Sequence, residues 1–206
     1  MHNINQHHEG RILSKEPVYG FLGTLQKNIR ESVQNRIWQW RIFILFYCIY
    51  IGIRYACNPG YWSLFGWFNF GIHELGHLII PGPKLPHMLA GSVVQCSAPL
   101  IGFFIFWRQR DYFGSLSVSF VWLATNLYYV SWYMADADQR AIPLLSPFEQ
   151  GQHDWHFIFV RIGLYEYDDP IAACVRWGGH ICMWTGIVFG IWVLWLMAMK
   201  SKGNRQ

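Results

Sequence analysis

The chain has 206 residues, of which 53% are hydrophobic, 18% aromatic and only 14% charged, with a formal charge of +4. An average soluble domain carries about 25% charged residues; this chain is too apolar for a disordered protein and too long for a disulfide miniprotein. No basic groove motif accompanies the small positive charge, which speaks against a nucleic-acid partner.

Residues 1–36 are polar and hold no apolar core of signal-peptide type, so no cleaved export signal is expected. Val18, Phe21, Leu22, Leu25, Ile29, Val33 and Ile37 recur at helical spacing, with Lys27, Arg30 and Arg36 off that stripe. The pattern predicts an amphipathic helix, either lying on an anionic membrane surface or packed on the protein's own cytosolic face. His2, His7 and His8 read as solvated side chains.

A first span is expected around Ile42–Ile53, lengthened by Trp38, Trp40, Tyr55 and Ala56, with Arg41 and Arg54 reaching out to the interface. After the turn Asn58-Pro59-Gly60, a second span runs from about Tyr61 to Ile80 and stops at Pro81-Gly82-Pro83. A third covers about Met88–Trp107 and a fourth about Phe113–Ala135. A polar connection over 136–170 follows, in which Trp155–Leu164 reads as a short interfacial or re-entrant helix. The fifth span covers about Ile171–Met199. No Asp, Glu, Lys or Arg occurs between Arg54 and Glu74, Lys84 and Arg108, or Asp111 and Asp136. Crossing the hydrocarbon core takes about 20 largely apolar residues, and several such stretches in one short chain predict a multi-pass integral membrane protein.

The expected fold is therefore all-α: a polytopic membrane helix bundle of about five transmembrane helices, with an N-terminal amphipathic interfacial helix. Residues 1–36 form the polar N-terminal segment, 37–199 a transmembrane metal-binding domain and 200–206 a basic tail. Five crossings put the N-terminus, the 81–87 turn and the 136–170 loop on one side, and the positive-inside rule makes that side cytoplasmic by eight Lys/Arg to six. The cysteines Cys48, Cys57, Cys96, Cys174 and Cys182 show no CxxC spacing and read as small packing residues.

The chemistry concentrates in His73-Glu74-Leu75-Gly76-His77. On a helix, residues i and i+4 share a face about one turn apart, so both imidazoles can grip one Zn2+ ion. Glu74 is next to the metal without being a ligand, placed to take a proton from an attacking water and pass it to a leaving amine. Ionisable groups inside an apolar span are expensive and usually functional; the bland reading is a hydrogen-bonded polar cluster joining helices. A catalytic zinc site keeps three protein ligands and one open position. For the third, Asp136 at the end of the fourth span comes first and His153 close behind, with Asp138 and His156 also open. Asp154 reads as an orienting carboxylate beside His153, or as a cap or loop hydrogen bond. Asn69, one turn before His73, could orient that ring; Gln95 and Asn126 are mid-span amides; His180 sits at a depth comparable to His73, about 10–14 Å in.

Phe70-Gly71-Ile72-His73-Glu74-Leu75-Gly76-His77 resembles the motif segment of membrane-embedded zinc metalloproteases of the site-2 protease type. In that family an HExxH motif lies in a transmembrane helix and an Asp on a later span completes the zinc site. The resemblance implies His73 and His77 as ligands, Glu74 as general base, and a membrane-protein or membrane-proximal peptide as substrate. The family's later Leu-Asp-Gly segment has only a loose counterpart here, Asn126 followed by Asp136. Two other readings stand beside it: a di-iron hydroxylase- or desaturase-like enzyme, which calls for more paired histidines, and a non-catalytic membrane subunit.

Overall fold

The computed structural model describes residues 20–33, 36–58, 60–142 and 153–203, and among these every regular element is helical. The three N-terminal histidines, Val18 and the last residues of the basic tail lie outside them. Helix α1 covers Phe21–Ser32, α2 Gln39–Cys57, α3 Leu64–Ile79 and α4 Lys84–Arg108. A π-helical turn at Gly114–Val118 leads into α5 at Ser119–Ala135; α6 covers Asp154–Ile162 and α7 Asp168–Gly203. Three helices are long and apolar enough to cross a membrane: α2, α4 and the stretch Tyr165–Met199 that contains most of α7. They present Phe43, Phe46, Ile101, Phe104, Ile181 and Val188 outward. Outward-facing large apolar side chains on helices of that length mark the chain as a membrane protein.

The contacts fix the direction of each helix. At one end of α2, the Arg41 guanidinium sits 5.6 Å from the Phe113 ring; near its other end, Tyr55 stacks on Tyr128 with ring centroids 4.6 Å apart. Helices α2 and α5 are therefore parallel. Helix α7 returns against both: Gly179 lies against Tyr128 and Gly190 against Ser117 and Leu45. A Cβ built on Gly190 would sit 2.4 Å from Ser117 Oγ, so only glycine lets α7 come this close to the π-helical turn.

Helix α3 is the surprise. It starts halfway along α2, where the Leu64 N–H donates to Tyr47 Oη at 3.2 Å and the Phe65 ring lies 6.4 Å from Trp122. From there it climbs parallel to α5, so that His73 packs on Tyr129 and Tyr133. Before it, Tyr55 Oη bonds Ser63 Oγ at 3.1 Å and Gly60 lies against Trp132. Asn58 and Gly60 thus lie at the same end of the bundle as the 81–83 turn. The 16 residues of α3 are about 24 Å long at the α-helical rise, short of the roughly 30 Å hydrocarbon core. Hydropathy alone reads residues 61–80 as one more crossing because it cannot see that the chain dips to mid-height before the helix begins.

This revises the expected sidedness. Ile29 of α1 and Val33, which follows its last turn, bury against Tyr112, Phe113, Val193, Leu194 and Met197. The amphipathic helix is thus packed on the protein's own end face, and the start of α2 shares that end with the end of α7. The two termini of the helical body lie at one end, not at opposite ends as five crossings require.

Candidate metal centre

The α3–α4 contact is tight enough to bring side chains of both helices and of α6 to one point. A Cβ on Gly76 would lie 2.5 Å from the Ala90 carbonyl oxygen, and one on Gly91 would lie 2.6 Å from His73 Nε2 and His77 Nε2. The missing side chains at these two glycines leave room for the imidazoles. His73 and His77 project from one face of α3 as the i, i+4 spacing requires, and both are buried.

Each ring is oriented by its Nδ1. His73 Nδ1–H donates to Gln95 Oε1 at 3.0 Å, and His77 Nδ1–H donates to the His87 carbonyl at 2.9 Å. His87 is itself held by its Nδ1–H donating to the Ile80 carbonyl at 3.1 Å. With the Nδ1 protons engaged on carbonyl oxygens, the Nε2 lone pairs point inward, the arrangement that prepares histidine for a metal. The third corner is Asp154 at the first turn of α6, whose backbone N–H donates to Tyr133 Oη at 3.2 Å. Its side chain is fully buried.

The three acceptors form a nearly equilateral triangle. Asp154 Oδ2 is 3.1 Å from His73 Nε2 and 3.2 Å from His77 Nε2, and the two Nε2 atoms are 3.2 Å apart. Ligand atoms about 2.0–2.1 Å from a tetrahedral Zn2+ are separated from each other by about 3.3 Å. A single proton can satisfy only one edge of such a triangle at a time; a metal ion satisfies all three. Asp154 Oδ1 is buried without a hydrogen-bond partner, so that oxygen too is available to a cation. The residues fit a metal ion, and His73, His77 and Asp154 are the group of described residues that could hold one.

Asp136 and His153 stand outside this triangle. Asp136 closes the turn after α5, accepting from the Ala141 and Ile142 N–H groups at 2.9 Å each. His153 precedes α6 with its Nδ1 3.9 Å from Asp136 Oδ2; burial pulls its pKa below the ordinary imidazole value, against the opposing pull of Asp136. Asp138 bonds the Tyr165 hydroxyl, and His156 Nδ1–H donates to the Ala137 carbonyl at 2.9 Å. His180 hydrogen-bonds Tyr128 Oη at 2.7 Å, an interhelical link. Asn69 does not orient His73; it bonds Thr125 and Trp122, and Gln95 does the orienting. Asn126 donates to the Trp122 carbonyl in its own helix at 3.1 Å. Glu74 follows His73, about 100° around the helix, and is half-buried.

Sequence reasoning gave Asp154 a supporting role and missed its place in the triangle, along with His87, Gly76 and Gly91. The available signal was the switch at His153-Asp154 from polar loop to the apolar α6, which makes Asp154 the acidic residue of the helix's first turn. No family model, curated protein or solved structure matches the chain.

Proposed function

We propose that this protein is a multi-pass membrane metallopeptidase, zinc-dependent, in which α2, α4, α5 and α7 cross the bilayer and α3 carries the HExxH motif without crossing it. The observation that carries the reading is the convergence of two Nε2 atoms and one carboxylate oxygen at 3.1–3.2 Å beside Glu74. Three protein ligands leave a fourth position open, the mark of a catalytic rather than a structural zinc site. The resemblance to site-2-type proteases points the same way, since an Asp completes the His pair there as well; here the Asp would come from the start of α6.

Zinc, when bound, would polarise the scissile carbonyl and acidify water. The chain's own residues would do the rest. Glu74 would accept the proton of the attacking water and deliver it to the leaving amine. Gln95 and the His87 carbonyl would fix the imidazoles in the tautomer that ligates. A membrane-protein segment, or a peptide close to the bilayer, is the expected substrate.

The test is metal content and peptide hydrolysis of the detergent-purified chain, compared with His73→Ala and Glu74→Gln. Zinc should be near stoichiometric in the native chain and in Glu74→Gln and nearly lost in His73→Ala, while hydrolysis is lost in both variants. Two irons per chain, or equal metal in all three proteins, would overturn the reading.

A further inference from the structure

The metal cluster occupies one end of a bundle whose two ends differ sharply in charge. At the end shared by α1, the start of α2, the α4–α5 turn and the end of α7 lie Lys27, Arg30, Arg36, Arg41, Arg108, Arg110, Lys200 and Lys202. The cluster end has Arg54, Lys84, Arg140, Arg161 and Arg176. Among the described residues that is eight basic residues against five. The acidic residues run the other way. Among the described residues the first end has Glu31 and Asp111, and all the others, from Glu74 to Asp169, belong to the cluster end.

Lysine and arginine flanking a membrane span are retained on the cytoplasmic side, where the membrane potential and the anionic leaflet both favour positive charge. With α3 starting at mid-height, Arg108, Arg110, Lys200 and Lys202 join Lys27, Arg30, Arg36 and Arg41 on one side, and the balance among the described residues is eight to five. The mid-height start also moves the site, because the cluster end is opposite the termini.

We infer that the His73–His77–Asp154 centre faces the non-cytoplasmic side of the membrane, and that the site takes its polypeptide substrate from that side. The substrate half rests on the peptidase reading; the orientation does not. A cytoplasmic peptide or the cytoplasmic flank of a membrane protein is therefore the wrong substrate pool, and the segment cleaved is one exposed outside the cytoplasm or in the outer half of the bilayer.

The test labels single cysteines in the full chain with a membrane-impermeant maleimide on spheroplasts, each signal normalised to that after permeabilisation. All five native cysteines, Cys48, Cys57, Cys96, Cys174 and Cys182, are first replaced by alanine. Gln139→Cys reports the cluster end and Gln109→Cys the other; both positions are exposed. Gln139→Cys should label at least about tenfold more strongly than Gln109→Cys before permeabilisation. The reverse ratio, equal labelling of both, or protection of both until permeabilisation would each overturn the assignment. Zinc content measured on the same two variants separates the readings: labelling at position 139 without metal sustains the orientation and removes the peptidase.

Discussion

At the end where the helical body begins and finishes, Asp111 is gripped by two guanidinium groups. Arg41 meets both its oxygens at 2.9 and 2.8 Å, Arg36 adds a contact at 3.1 Å, and the Gly114 N–H donates at 3.1 Å. At the opposite end, Asp154 is more deeply enclosed and meets two imidazoles whose Nδ1 protons are already engaged elsewhere. The first cluster pairs a carboxylate with two cations and a backbone donor, and only Arg41 Nε is left without a partner there. The second is a set of acceptors facing one another. Burial of charge is tolerated where partners satisfy it, so the first reads as a clamp between α2 and the α4–α5 turn, and the second as a site that takes up a cation.

That contrast can be broken most directly at Asp154 itself and at the partner of Asp111. Asp154→Ala should lower zinc affinity by more than about 100-fold, beyond the range seen for supporting residues, whereas Asp136→Ala should leave metal content unchanged; both are read by metal analysis after gel filtration. Arg41→Met removes the main partner of partly buried Asp111, which keeps Arg36 and the Gly114 N–H, and should cost roughly 1–3 kcal/mol in stability, seen as a lower unfolding midpoint in detergent with zinc stoichiometry intact. Gly91→Ala puts a methyl group 2.6 Å from both Nε2 atoms; overpacking of this kind costs roughly 1–3 kcal/mol, and here the loss should appear in metal binding before it appears in melting.

The smallest effect concerns pH. His153 has its pKa lowered by burial, so the fold favours its neutral form. Its contribution is fully present above the unfolded imidazole value of about 6.5 and is lost as pH falls through that value toward the lower folded one. His153→Gln should therefore flatten the stability profile of the chain as pH falls below about 6.5, without changing zinc content at neutral pH. A flat profile in the native chain would remove His153 from the account.

Much of the site was legible before any coordinates. His73 and His77 are neighbours in space because helical periodicity makes them so, and local geometry of this kind needs no tertiary information. Gln95 was visible as a buried-span amide, though not as the partner of His73. Asp154 was harder. It is far from α3 in sequence, and its choice over Asp136 depends on how the 136–153 connection returns to the bundle. Asp136 looked better because it ends a span at the right depth, but its two oxygens are taken by the backbone of the turn it caps, a demand that sequence alone does not register.

The sequence by itself determined the class of chain, the helical elements and the motif: scarce charge, long apolar stretches and His-Glu-x-x-His are properties of composition and local spacing. Only the tertiary structure decided which carboxylate joins the histidines and which end of the bundle they occupy. Both depend on where α3 begins. Its N-terminus is anchored at mid-height by Tyr47 and Tyr55 against Leu64 and Ser63, and hydropathy measures how apolar a segment is, not the height at which it starts.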